Sequence, residues 1–170
     1  GHSRLGVNLL CPPAFHLRLS GVRKTDAPPS QFYQATYWPH YRLFADYTAR
    51  LSYALSQGSH HAQVALLYPI KGFQSEWAPG IEGPVDSLIA GCFDTYCAHL
   101  TKEHIDYDIL TEDDIKRAAS CDQRLILANE QYELLIMPPT TAVGYETALK
   151  IAEFVDDGGK LIATTLLPFE

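Results

Sequence analysis

Residues 71–84 read KGFQSEWAPGIEGP and place Glu76, Trp77 and Glu82 among glycine and proline. An indole face stacks on the C–H face of a sugar ring, and carboxylates bond its hydroxyls, so this stretch is a candidate carbohydrate contact. The plainer alternative is a surface loop whose Trp77 packs on a neighbour. Glycoside cleavage needs two carboxylates opposed across the scissile bond. No such pair can be placed on rigid elements here, because most of the 20 acidic residues fall on solvated helix faces or at caps.

Other chemistries fare worse. The segment after the first strand is not GxxxxGK[ST], so it is no phosphate-binding P-loop, nor is it a Ser/Thr-rich flavin-phosphate loop. The segment PPTTAVG, residues 138–144, has neither Cys nor Ser flanked by glycine, as a nucleophile elbow requires. The seven histidines share no ligand spacing, and adjacent His60 and His61 read as a solvated turn rather than a metal site. No cofactor is called for. The four cysteines, at 11, 92, 97 and 121, form no CxxC knuckle and read as small buried hydrophobes. Free thiols suit a reducing compartment such as the cytoplasm, if the N-terminus is the natural one.

The elements that must position these residues fall into two textures. Residues 1–39 hold Pro12, Pro13, Pro28, Pro29 and Pro39, which forbid a long helix. Two short strands are expected there, Gly6–Leu10 and Phe15–Leu19. Phe44, Tyr47, Leu51 and Leu55 then recur at helical spacing, predicting a helix over 40–57 that stops at Gly58. From residue 62, strands and helices alternate. Strands are expected at 63–69, 106–111, 132–138 and 160–168, with a small one at 124–129. Helices are expected at 85–103 and 145–157, and a short one follows the cap at Thr111. The first is read with Val85, Leu88, Ile89, Cys92, Phe93, Tyr96 and Leu100 on one face. The second is read with Ala148, Ile151, Ala152 and Val155 inward.

Near-continuous apolar strands alternating with helices imply an α/β fold with a parallel sheet covered on both faces. Right-handed crossovers in a flavodoxin-like winding give the order 2-1-3-4 for the four main strands. A fifth strand normally lies beside the fourth, so the sheet reads as incomplete. Two domains are expected: an irregular arm with one extra helix over 1–58, and the flavodoxin-like domain over 59–170.

Composition limits the partners. The 170-residue chain carries a net charge of −7, with its 13 Lys and Arg scattered, which disfavours nucleic acid. No apolar run approaches the length of a membrane span. The arm would leave Leu9, Leu10, Phe15, Leu17, Phe32, Tyr33, Tyr37 and Trp38 exposed, and strand 160–168 would offer an open edge. A homo-oligomer, or the rest of a larger protein, is therefore expected to cover them.

Three stretches together carry a resemblance: GVRKTDAPPS, DYTARLSYALSQG and YELLIMP. The chain resembles the junction in large bacterial glycoside hydrolases of the α-L-rhamnosidase kind, where a (β/α)8 barrel runs into a flavodoxin-like domain. It is similar, too, to the trimerisation domain of glycoside hydrolase family 42 β-galactosidases, which is related to class I glutamine amidotransferases but lacks their nucleophile. The resemblance implies that Gly6-Val7-Asn8 match the last barrel strand, that Phe15-His16 lie near the sugar site, and that Trp38-Pro39 lead into the last barrel helix. Asn8, His16 and Trp38 thereby join Glu76, Trp77 and Glu82 as candidate sugar contacts. Relatives carry Pro-His where this chain has Pro12-Pro13.

The first functional expectation is a non-catalytic module or fragment of a carbohydrate-active enzyme, with a structural or oligomerisation role. The alternatives are a stand-alone flavodoxin-like small-molecule binder and a small glycosidase using Glu76 or Glu82.

Overall fold

The structure is a computed structural model, and it describes residues 7–12, 14–25, 27–80 and 83–168. The chain divides into two units, Gly1–Ser59 and His60–Glu170.

The first unit holds one regular helix, α1 (Tyr41–Leu55), preceded by 3-10 turns at Gly21–Lys24 and Trp38–His40. Pro39 sits in the first turn leading into the helix, where its missing N–H costs nothing. The expected strands at 6–10 and 15–19 do not form among the described residues; Gly6 lies outside them. Backbone groups that a ladder would have used are taken by side chains instead. Ser30 Oγ accepts from His16 N at 3.3 Å, Gln34 Nε2 donates to His16 O at 2.8 Å, and Tyr33 OH donates to Leu17 O at 3.0 Å. Phe15 anchors an aromatic cluster, edge-on to Phe32, Trp38 and Tyr41 with centroids 5.8–6.4 Å apart. No residue of α1 is buried, and Leu9, Leu10, Phe15, Leu17, Tyr33 and Tyr37 are exposed, while Phe32 and Trp38 are half-buried.

The second unit carries a four-stranded parallel sheet in the order β2-β1-β6-β7, which is the expected 2-1-3-4 winding. Its strands are β1 (Val64–Leu67), β2 (Tyr107–Leu110), β6 (Leu134–Met137) and β7 (Lys160–Ala163). Val64 pairs with Tyr107 on one side and Leu134 on the other, and Leu134 pairs with Lys160. Central β1 is buried along its whole length, as its unbroken VALL run requires.

The period of two separates the faces. Ala65, Leu67, Leu110, Leu135 and Met137 join Ile115 of α4 (Glu112–Arg117) and Ile151 and Phe154 of α5 (Tyr145–Asp156) in one core. Tyr107, on the other face, donates its hydroxyl to the Cys97 carbonyl of α3 (Pro84–Lys102). Helices α3 and α5 therefore cover opposite faces.

Several details depart from the sequence reading, among them the strand expected at 160–168, which ends at Ala163. Residues 71–84 are not all loop, because α2 (Ile70–Glu76) occupies the first half. The 124–129 strand is β4 (Arg124–Leu127), the middle of an antiparallel sheet with β3 (Ala119–Cys121) and β5 (Glu130–Tyr132). Asp122 and Gln123, with φ of 52° and 64°, make the two-residue left-handed turn that a β3–β4 hairpin needs. In α5 the buried residues are Thr147, Ile151 and Phe154, whereas Ala148, Ala152 and Val155 are exposed. The helix has two apolar stripes, and Phe154 decides between them: a Cβ at Gly159 would overlap its ring, so the ring fills the space under that glycine. In α3 only Ile89 is fully buried, and Leu88 lies outside the packed face. The cysteine reading also changes, since Cys11 and Cys121 are exposed and Cys92 and Cys97 half-buried.

Buried Tyr132 donates its hydroxyl to Asp108 Oδ2 at 2.9 Å, and Asp108 Oδ1 meets His60 Nε2 at 3.1 Å. Burial, and then the bond to Asp108, raise the Tyr132 phenol well above its ordinary range. The unfolded chain thus loses this proton near pH 10 while the folded chain keeps it. Stability should fall as pH rises above about 10, and Tyr132→Phe should flatten that alkaline limb in urea titrations read by circular dichroism. In the same assay, Phe154→Ala should cost about 3–5 kcal/mol at neutral pH.

Candidate functional site

Open parallel sheets bind ligands beyond the carboxyl ends of their strands, at the point where the winding reverses. Here that point lies between β1 and β6. Three strand ends supply it: Pro69 to Lys71 after β1, Thr111 and Glu112 after β2, and Pro138 to Gly144 after β6.

Glu112 is the buried charge of this region, 6% exposed. Its Oε2 accepts from Gly144 N at 2.8 Å and Thr147 Oγ1 at 3.0 Å, and Lys71 Nζ stands 3.0 Å from the same oxygen. One carboxylate thereby joins the starts of α2, α4 and α5. The local sequence explains the placement. Thr111 caps α4 in a reciprocal capping box with Asp114, whose carboxyl the Thr111 bonds hold below the usual carboxylate range. That box fixes the first turn and sends Glu112 inward. A Cβ on Gly144 would lie 2.8 Å from Glu112 Oε2, so glycine is needed for close approach.

The loops around the carboxylate pack closely on one another. Pro138, Pro139, Thr140 and Thr147 are fully buried. Thr140 sits against Gly72, where a Cβ would overlap its hydroxyl, and donates to the Ala142 carbonyl at 2.8 Å. Ser75 Oγ and Thr141 Oγ1 are 2.9 Å apart, and Thr140 N bonds the Leu166 carbonyl at 3.2 Å. Every polar group named here already has a protein partner. The arrangement is a latch between loops.

The sequence-selected residues lie elsewhere. In the first unit Asn8 is exposed, and Trp38 is half-buried, stacked on Tyr41 with centroids 5.4 Å apart. His16 is half-buried too, and its Nε2 has no hydrogen-bond partner among the described residues. An apolar groove of about 340 Å³ runs beside α1, lined by Leu9, Leu10, Phe15, Tyr41 and Phe44 among others. In the second unit Glu76 ends α2 and is exposed, and Trp77 follows it, 65% exposed. Glu82 lies outside the described residues.

Lys71, Glu112, Gly144 and Thr147 were not legible as a set. Glu112 stands in a run of three acids after a capping threonine, and all three read as solvated first-turn charges. Only the path of the β6–α5 loop distinguishes Glu112 from Asp113.

No protein family's sequence profile matches the chain, and no curated protein matches it in sequence. Solved structures do match. A rhamnosidase from Novosphingobium sp. PP1Y superposes with a TM-score of 0.50 over 78% of this chain, at 21% identity. The match takes in 12% of that protein. Gan42B, a GH42 β-galactosidase, superposes with a TM-score of 0.46 over 74% of this chain and 17% of its own, at 24% identity. The chain therefore spans a small part of the glycosidases it resembles, and what it shares with the rhamnosidase is the fold.

Removing the latch carboxylate should be costly, because three donors lose their acceptor. Glu112→Ala should destabilise the second unit by about 3 kcal/mol, the low end for breaking a buried pair, since Lys71 keeps part of its surface in water. Hydrogen exchange at the Gly144 amide should accelerate accordingly.

Proposed function

We propose that this chain is a non-catalytic module of a larger carbohydrate-active enzyme, with a structural or subunit-holding role. The observation that carries the reading is the close packing of the loops at the carboxyl ends of the strands. In a flavodoxin-like sheet the switch point is where a ligand would sit, and here Thr140, Gly72, Ser75, Thr141 and the Glu112 latch occupy it. A sheet that fills its own ligand position serves as a body rather than a reaction vessel. The fold shared with a rhamnosidase segment supports a setting in carbohydrate chemistry. In this reading Trp77, exposed next to Glu76, is the face offered to sugar, and the aromatic cluster of Phe15, Trp38 and Tyr41 belongs to the flank of a larger body.

The test is direct. The purified chain should turn over p-nitrophenyl α-L-rhamnoside and β-galactoside no faster than buffer does, and flavin mononucleotide should leave its melting temperature unchanged. Hydrolysis abolished by Glu76→Gln would replace this reading with that of a small glycosidase. A saturable melting shift with the flavin would replace it with that of a small-molecule binder.

A further inference from the structure

The second unit begins at His60, and its first residues are fastened to the sheets by two contacts of different kinds. Ala62 is fully buried, and its N–H donates to Glu130 Oε2 on β5 at 3.1 Å. Two residues earlier, His60 Nε2 stands 3.1 Å from Asp108 Oδ1 on β2. The first contact sets a backbone amide on a carboxylate, and neither group changes its protonation near neutral pH. The second sets a carboxylate against the one side-chain type that ordinarily changes charge between pH 5 and 8. Solvent reaches this second pair: the His60 side chain is 56% exposed and that of Asp108 29%.

The groups around the pair fix the sign of its response. Asp108 Oδ2 is taken by the Tyr132 hydroxyl of β5 at 2.9 Å. Burial, and then this bond, hold that phenol well above its ordinary range, so it donates and stays uncharged across physiological pH. The other charges that act on Tyr132 are Glu130 and Asp114, both negative. On the near side, His61 has no hydrogen-bond or ion-pair partner among the described residues. With His104 and Asp106 it lines a cavity of about 410 Å³ at the amino ends of β1 and β2. The contact at His60 is therefore an ion pair when the ring is charged and a plain hydrogen bond when it is not.

We infer that His60 and Asp108 form a proton-sensitive clasp on the segment leading into β1. An imidazolium donates a charge-assisted bond to Asp108 Oδ1. The neutral ring keeps a bond there only in the tautomer with its proton on Nε2. The extra hold is full on the acid side of the histidine range and is lost as pH rises through it. Release stops at Ala62, which is buried and separately bonded. It adds His60 and His61 to exposed Gln57, Gly58 and Ser59 in the chain between α1 and β1. Two residues lengthen that tether by about 7 Å. The clasp thus makes the length of chain before β1 depend on pH. Exposed pairs of this kind are modest, so the ratio of released to clasped forms should change about two- to fivefold.

Backbone amide relaxation of the full 170-residue chain, with dispersion for slower motion, tests this at about pH 5.5 and about pH 8. His60 and His61 should be more ordered at the lower pH, and Ala62 ordered at both. His60→Lys, charged at both values, should keep the segment ordered at both, and His60→Gln should leave it loose at both. His61→Gln should preserve the response. Equal order at the two pH values in the parent chain would overturn the inference. A response that persists in His60→Gln would overturn it as well, placing the titrating group elsewhere, such as His104.

Discussion

The second unit hangs on one oxygen. Three parallel strands end at the same level, and each hands the chain to a helix that must start in a set direction. Those starts need a common anchor. Glu112 Oε2 provides it by taking the Gly144 amide, the Thr147 hydroxyl and the Lys71 ammonium at once. A buried carboxylate is tolerable only when so satisfied. The capping box behind it and the glycine in front of it both follow from that requirement. The same bonding ties the loops after β1, β2 and β6 to one another at the carboxyl ends of the strands.

How much of this was readable beforehand depended on how many physical demands each segment answered. VALL is buried on both faces and LLIM buried on one and half-buried on the other, so their continuous apolarity announced them, and the sheet order followed from winding rules. Helix α5 answered two demands at once, and its sequence could not say which apolar stripe faced the sheet; ring size at Phe154 and the space under Gly159 settled it. The β3–β4 turn uses Asp122-Gln123 rather than Asn-Gly or Asp-Gly, so the usual hairpin signal was missing. Helix α2 starts after Pro69 without a side-chain cap, and its glycine made it look like loop. The latch was hidden for a different reason: it joins residues 71, 112 and 144, and nothing local distinguishes any of them.

The two units stand in contrast. The second has a core with leucine, isoleucine and phenylalanine wholly out of water. The first has a helix with no buried residue and an aromatic cluster that is only partly covered. Ring contacts among Phe15, Phe32, Trp38 and Tyr41 order the arm locally, adding about 0.5–1.5 kcal/mol per pair beyond area burial. Such a cluster can hold a surface in shape without amounting to a core.

The sheet order also has a temporal consequence. Strand β1 lies between β2 and β6, yet Val64 meets Leu134, made about 70 residues later. At synthesis rates of about 5–20 residues per second, β1 emerges with its inner edge bare for roughly 4–14 s. During that interval the most deeply buried strand of the unit has only β2 to pair with, and the intervening hairpin must be made before β6 arrives. Nascent chains are therefore most exposed to mispairing just before Met137 leaves the ribosome, and a pause placed once Met137 has emerged would help the sheet close while one placed earlier would prolong the hazard.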